Sequence, residues 1–333
     1  MSTSGPWPRP LLPGSATGIG SLPGTDAVVA QRRVLAVLPD FPHLVELPDR
    51  GAGADMIGRT AALLVDLAVD LQPAGWRLVD RPGADVRRAR DFLRWDLDAL
   101  AEAADGWVGP LKLQAAGPWT LAAALELPRG DKAIGDPGAV ADLAASLAEG
   151  LAAHVAQVAA SVPGAAIAVQ LDEPSLPAVV AGHLPTASGF SVLRTPEPAE
   201  VQERLATVLG ALPSPGVHCC APQVPYGLLR EAGARWLSVD VAMLTTRDYD
   251  ALGEAVESGT GLVLGTEGGV QVEKSDVFAI FRRLGLSSNM WLDNVVLAPP
   301  CGLAGRSEQQ AGSALRAVTK LAKELAETVG AAA

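Results

Sequence analysis

Cysteine and aromatic residues are scarce in this 333-residue chain, with three Cys, two Tyr and five Phe. An odd, low cysteine count in a chain of this length excludes a disulfide framework and suits the reduced thiols of a cytoplasmic protein. Positive charge is also in deficit. The formal net charge of -11 argues against nucleic acid or an anionic membrane as a main partner. No run of about 18 apolar residues is free of Gly, Pro or charge, so no transmembrane helix is expected. The segment Met1 to Pro13 is Pro-rich and lacks the apolar core of a secretory signal. What remains is ordinary for a soluble α/β protein: 49% hydrophobic, 19% charged, and dominated by Ala, Leu and Val.

Apolar runs that end in Gly, Pro or an acid alternate with longer helical stretches, the βαβα pattern of a parallel sheet. Eight candidate strands end near Gly18-Ile19-Gly20-Ser21, Leu44-Val45-Glu46, Leu111-Lys112-Leu113-Gln114, Ile167–Asp172, Gly216-Val217-His218, Trp236–Asp240, Leu262–Gly265 and Val295–Ala298. Eight strands with interposed helices give a (β/α)₈ barrel of the TIM type. Helical spacing predicts helices over Gly138–Ala160, Glu200–Leu212, Asp248–Glu257, Asp276–Leu284 and Glu308–Val329. The stretch Ala52–Leu100 is longer than one crossover needs, and reads as helices plus an insertion over one barrel mouth. The expected organisation is a Pro-rich segment over 1–14 and a single barrel domain over 15–333, with its insertion after the second strand.

In such a barrel the functional groups come from the C-terminal ends of the strands. Those ends are unusually polar here: Ser21, Glu46, Gln114, Asp172 with Glu173, His218 with Cys220, Asp240, Glu267 and Cys301. Any one of them alone could be a satisfied polar group at a solvated rim. Residues two apart on a strand share a side, so His218 and Cys220 face together while Cys219 turns away into packing. With Cys301 at another strand end, they form a candidate metal site, and zinc is the metal that imidazole and thiolate favour. An oxygen donor, Asp240 or Glu267, or an open position would complete the shell. Two thiolates and a carboxylate make zinc a poor activator of water. Such a site suits binding a substrate thiol and lowering its pKa, which predicts alkyl transfer to sulfur. Asp172 and Glu173 read as catalytic carboxylates or as a helix N-terminal acid pair. With Glu46, Asp172 could recognise a substrate ammonium, and the Gly20-Ser21 turn its carboxylate.

Ile19-Gly20-Ser21-Leu22-Pro23, Gly117-Pro118-Trp119-Thr120-Leu121, Gln170-Leu171-Asp172-Glu173-Pro174, His218-Cys219-Cys220 and Cys301-Gly302-Leu303 follow one another here. In that order they resemble the C-terminal catalytic barrel of cobalamin-independent methionine synthase, from about Thr17 onward. The resemblance implies zinc held by His218, Cys220, Cys301 and a carboxylate at or beside Asp240, activating homocysteine for methylation to methionine. It implies Ile19, Gly20 and Ser21 as the carboxylate-binding turn, and Asp172 and Glu46 as amine-binding acids. No second barrel is expected within these 333 residues, and Gly265-Thr266-Glu267-Gly268-Gly269 stands where the family carries a proton-transferring His. The methyl donor is therefore expected to be a methylated corrinoid protein or methyltetrahydrofolate, with Trp119 and the Ala52–Leu100 stretch placed to touch it. Two rivals remain: a zinc alkyltransferase for another thiol, like the coenzyme M methyltransferases, and a metal-free barrel like uroporphyrinogen decarboxylase. The second would need Arg50, Arg59 and the Arg87–Arg90 cluster to meet an acidic tetrapyrrole.

Overall fold

Parallel strands buried on both faces read as continuous apolar runs, and the runs of this chain assemble accordingly. The computed structural model describes residues 5–186, 188–267, 274–285, 290 and 293–331. A hairpin of β1 (Ala68–Gln72) and β2 (Gly75–Val79) stands apart from the main sheet. That sheet is parallel and has six strands, ordered as in the chain. They are β3 (Val108–Ala116), β4 (Gly164–Asp172), β5 (Pro215–Cys219), β6 (Trp236–Asp240), β7 (Gly261–Gly265) and β8 (Val295–Ala298).

Six of the eight expected strands are therefore strands, and the sheet they form is curled. The first two expected strands survive only as single parallel bridges, Ala16 to Leu297, Ser21 to Glu46 and His43 to Lys112. Their hydrogen bonds are good ones: Thr17 N–H to the Leu297 carbonyl and Leu44 N–H to the Lys112 carbonyl, both 2.9 Å. A longer ladder fails because Pro42 has no N–H to give and Gly18 and Gly20 interrupt the extended run.

The helices lie outside the sheet. They are α1 (Ala27–Val37), α2 (Met56–Ala61), α3 (Ala84–Ala103), α4 (Pro118–Ala124), α5 (Pro137–Ser161) and α6 (Leu176–Val180). After them come α7 (Pro198–Leu209), α8 (Tyr226–Glu231), α9 (Thr246–Glu257), α10 (Lys274–Arg283) and α11 (Glu308–Gly330). Each of the five predicted helices has a counterpart within a few residues. Asp248 begins no helix. It is the third residue of a capping box whose cap is Thr245. The 52–100 stretch contains α2, the hairpin and most of α3, and its hairpin is absent from the sequence reading. Among the described residues α5 alone is long and apolar enough to cross a membrane. It buries Val140, Leu143, Leu147 and Leu151 and packs on β4, α4 and α7.

The inside of the curl is closed at the strands' N-terminal end by aromatic rings. Trp236 opens β6, Trp7 packs on it at 5.7 Å between centroids, and Phe41 meets Trp7 edge-on at 6.3 Å. Ile19, Ala168, Val263, Val296 and Ala298 belong to the same buried cluster. Gly216 on β5 makes the space: a Cβ there would stand 2.0 Å from a Trp236 ring atom. Gly216→Ala should therefore lower stability by about 1–3 kcal/mol through overpacking, read as a lower denaturation midpoint in urea.

Candidate metal and substrate site

Asp172, His218 and Ser238 are register partners on β4, β5 and β6. The His218 Nδ1 lies 2.9 Å from the Ser238 hydroxyl. With the proton on Nδ1 the hydroxyl accepts it, and Nε2, buried with no hydrogen-bond partner, keeps its lone pair for a ligand. Cys220 follows the end of β5, and Cys301 lies in the loop after β8. Their sulfurs are 3.2 Å apart. The ligand atoms of His218, Cys220 and Cys301 all fall within 4.8 Å of one another. A tetrahedral zinc with bonds of about 2.3 Å to sulfur and 2.0 Å to nitrogen needs ligand spacings of roughly 3.3–3.8 Å. The donor set fits such an ion.

The Cys220 hydrogen bond, then His218, holds Cys301 down to about 4, while the same contact pushes Cys220 upward. Cys219 is buried in the core, and burial raises its thiol to about 11. The two oxygen donors weighed from the sequence do not join the cluster. Asp240 caps a short 3₁₀ turn, accepting from Ala242 N–H at 2.9 Å. Glu267 pairs with Arg306 at 3.4 Å and its side chain is 69% exposed. Gly268 and Gly269 lie outside the described residues.

The cluster forms one wall of a cavity of about 340 Å³. Ile19, Ser21, Glu46 and Asp172 line the same space, with Pro48, Met56 and Pro174 as apolar neighbours. Segment 19–22 is held between two partners: Glu46 N–H donates to the Gly20 carbonyl at 3.2 Å, and Leu303 N–H to the Ser21 carbonyl at 2.8 Å. Gly20 is required there, because its φ is +156° and a Cβ would stand 2.8 Å from Gln114. Asp172 accepts from Gln170 Nε2 at 2.8 Å. Burial raises the pKa of both Asp172 and Glu46.

Like Gly20, Asp240 and Glu267, the predicted site residues Trp119 and Glu173 are absent from the cavity lining. Trp119 is fully buried, and its indole N–H donates to the Val201 carbonyl at 3.1 Å. Glu173 points away from the cavity as the anchor of α4. It accepts from Trp119 N–H at 3.0 Å, Thr120 N–H at 2.8 Å and the Thr120 hydroxyl at 2.7 Å. Of the alternative readings of that acid pair, the helix N-terminal one describes Glu173 and the cavity one describes Asp172.

Sequence reasoning passed over three groups. Lys112 is fully buried beneath the cavity, although a lone Lys inside the apolar run of β3 was a visible signal. Ser238, two before Asp240, was equally readable by alternation. The third, an ion cluster formed by Arg50, Arg59 and Asp96, joins residues far apart in the chain. Arg50 and Arg59 both donate to Asp96 Oδ2, Arg50 at 2.8 Å, and Arg59 Nε reaches Glu46 at 3.7 Å. These arginines were the support for a tetrapyrrole site, and Asp96 already engages them. Arg87 donates to the Pro82 carbonyl at 3.2 Å.

A parallel α/β fold with a His-Cys-Cys donor set at its strand ends defines a class of metal-ligating catalytic domain. The chain belongs to the family described as the catalytic domain of cobalamin-independent synthase, which matches residues 14–324. That membership makes it a methionine synthase-like methyltransferase domain. Among solved structures it is similar to a B12-independent methionine synthase from Shewanella sp. W3-18-1 in complex with selenomethionine. The identity there is 14% and the TM-score 0.62, covering 96% of this chain and 99% of that one. A tryptophan synthase complex from Pyrococcus furiosus aligns with TM-score 0.42 at 12% identity, over 94% of this chain and 98% of that one. A GH30 endoxylanase from Clostridium papyrosolvens C71 aligns with TM-score 0.44 at 11% identity, over 96% and 72%. A search of curated proteins gives no match.

Burial pushes the Glu173 carboxyl from 4.5 up to about 7. Between those values the folded chain binds more protons than the unfolded one, so this group's contribution to stability falls as pH rises through that window. Glu173→Gln should flatten the decline, which urea midpoints measured between about pH 5 and 8 will register.

Proposed function

We propose that this domain transfers a methyl group to the thiol of homocysteine, forming methionine, with zinc held by His218, Cys220 and Cys301. The convergence of those three donors on a cavity that also presents Glu46 and Asp172 carries the reading. Three protein ligands with a fourth position open to substrate is the form of a catalytic zinc site. Bound there, zinc would supply a Lewis acid that lowers the pKa of the substrate thiol.

The chain's own residues do the rest. Glu46 and Asp172 receive the substrate ammonium, and backbone N–H groups of the Gly20-Ser21 turn receive its carboxylate. Ser238 holds the His218 ring in the orientation and tautomer that leaves Nε2 available. In the reaction the thiol loses its proton, a sulfur–carbon bond forms, and the bond between the methyl carbon and its donor breaks. The donor is a methylated corrinoid protein or methyltetrahydrofolate. The segments around Ala16–Ser21 and His43–Glu46 act as the first two strands of an eight-stranded barrel, and residues 15–333 form one catalytic unit with its insertion over 52–100. A cytoplasmic setting suits the free thiols.

Protein purified without added metal is expected to carry about one zinc per chain, and Cys301→Ser to lose most of it. The loaded protein should form methionine from homocysteine with one of the two donors, and Asp172→Asn should raise the homocysteine KM about tenfold or more. Less than about a tenth of a zinc per chain, with no gain on reconstitution, would overturn the proposal.

A further inference from the structure

A lysine ammonium with no exposed surface lies directly beneath the amino-acid half of the cavity, and the chemistry above does not use it. Lys112 projects from β3, and burial lowers its pKa to about 8. Its ammonium donates to the Ile19 carbonyl at 2.8 Å, to Gln170 Oε1 at 2.9 Å and to Gln114 Oε1 at 3.4 Å. All three of its protons are thereby committed. Burying a charge is costly unless it is paired and hydrogen-bonded, so a site that keeps one needs a reason beyond packing.

The geometry points to Lys112 as a positioning residue that sets the ammonium-recognising carboxylates for homocysteine, an inference that rests on the function proposed above. Its action on Asp172 runs through Gln170. With Oε1 fixed on Lys112, the Gln170 amide must turn Nε2 toward Asp172, at 2.8 Å, and toward the Ile19 carbonyl, at 3.0 Å. Without the lysine Oε1 loses its donor, and the amide that presents Nε2 to Asp172 keeps only two of its three anchors. Gln114 extends the same control to the second acid, because its Nε2 donates to the Leu44 carbonyl, two residues before Glu46.

One cation therefore ties together three segments: Ile19–Ser21, Leu44–Glu46 and Gln170–Asp172. These segments carry all the groups assigned to the ammonium and carboxylate of the substrate. No hydrogen bond joins Lys112 to His218, Cys220 or Cys301. Its charge matters as well as its reach. Glu46 and Asp172 are both buried, and the cations acting on them are Lys112 and Arg59. Removing Lys112 takes away the cation that acts on Asp172, while Arg59 is already shared between Glu46 and Asp96, an imbalance that a low-dielectric interior penalises.

The test separates amine recognition from sulfur binding. Zinc-loaded Lys112→Met, nearly isosteric and uncharged, is titrated calorimetrically with L-homocysteine and with 4-mercaptobutanoate, the same thiol acid without its amine. Homocysteine affinity should fall about tenfold or more while the amine-free ligand changes less than about twofold. Zinc stoichiometry should stay at the unsubstituted level. Equal losses for both ligands, or no loss for either, would overturn the proposal. If the unsubstituted protein itself binds the two ligands equally, amine recognition fails first and takes this inference with it. Should Lys112→Met not fold, Gln170→Met keeps the lysine and cuts its link to Asp172. The same selective loss is expected there, and unchanged selectivity would sink the idea.

Discussion

Asp172, His218 and Ser238 stand side by side on three adjacent parallel strands, and every feature of the site rests on that shared register. Side chains alternate along a strand, so a slip of one residue would send His218 outward and bring Cys219 in. Register also decides the role of each thiol: Cys219 turns into the core, while Cys220, just past the strand, meets Cys301. The two residues that hold the register at the bottom are unpolar and tightly fitted. Gly216, two before His218, leaves room for the Trp236 ring, and Trp236 is itself two before Ser238. Packing at the floor and chemistry at the mouth are thus two ends of the same strands.

Along the axis of the curl the interior changes character in steps. Trp7, Phe41 and Trp236 form the apolar base. Above them lies a layer of buried polar groups, Lys112, Gln114 and Gln170, whose hydrogen bonds are made to one another, to backbone carbonyls and, from Gln170, to Asp172. The carboxylates and the dithiol come last, at the cavity. A polar layer at that depth is tolerable only when nearly every donor and acceptor is satisfied, and then it rigidifies what stands on it. The Arg50–Asp96–Arg59 cluster meets Glu46 through Arg59 Nε at 3.7 Å.

Local signals were the readable part. His218, Cys220 and Cys301 declared themselves through alternation and strand-end position, and six strands followed from apolar runs closed by Gly, Pro or acids. The first two expected strands reduced to bridges because Pro and Gly break their ladders, a feature the sequence does contain but which hydrophobic periodicity does not weigh. Glu173 and Trp119 were drawn toward chemistry because their neighbours in sequence are chemical. Only the fold reveals that Glu173 is spent on the N-terminus of α4 and that Trp119 is sealed beneath it. Asp96 carried no usable signal, since both of its arginines come from a different part of the chain.

The two halves of the cavity come from different stretches of chain. The His-Cys-Cys half belongs to the ends of β5 and β8, and the carboxylate half to the bridged N-terminal segments and β4. They meet where the sheet is least regular, at the single bridge from Ala16 to Leu297 and the hydrogen bond from Leu303 to Ser21. Under the function proposed above, an amino acid whose thiol and amine are separated by a short linker would need a fixed distance between those halves. That distance is not set by a continuous ladder here. It is set by a few backbone hydrogen bonds at the seam and by the lysine beneath it, which grips the Ile19 carbonyl from below. Ser21, at the end of that segment, lines the cavity while its carbonyl is held by Leu303, so the seam and the site share one stretch of backbone.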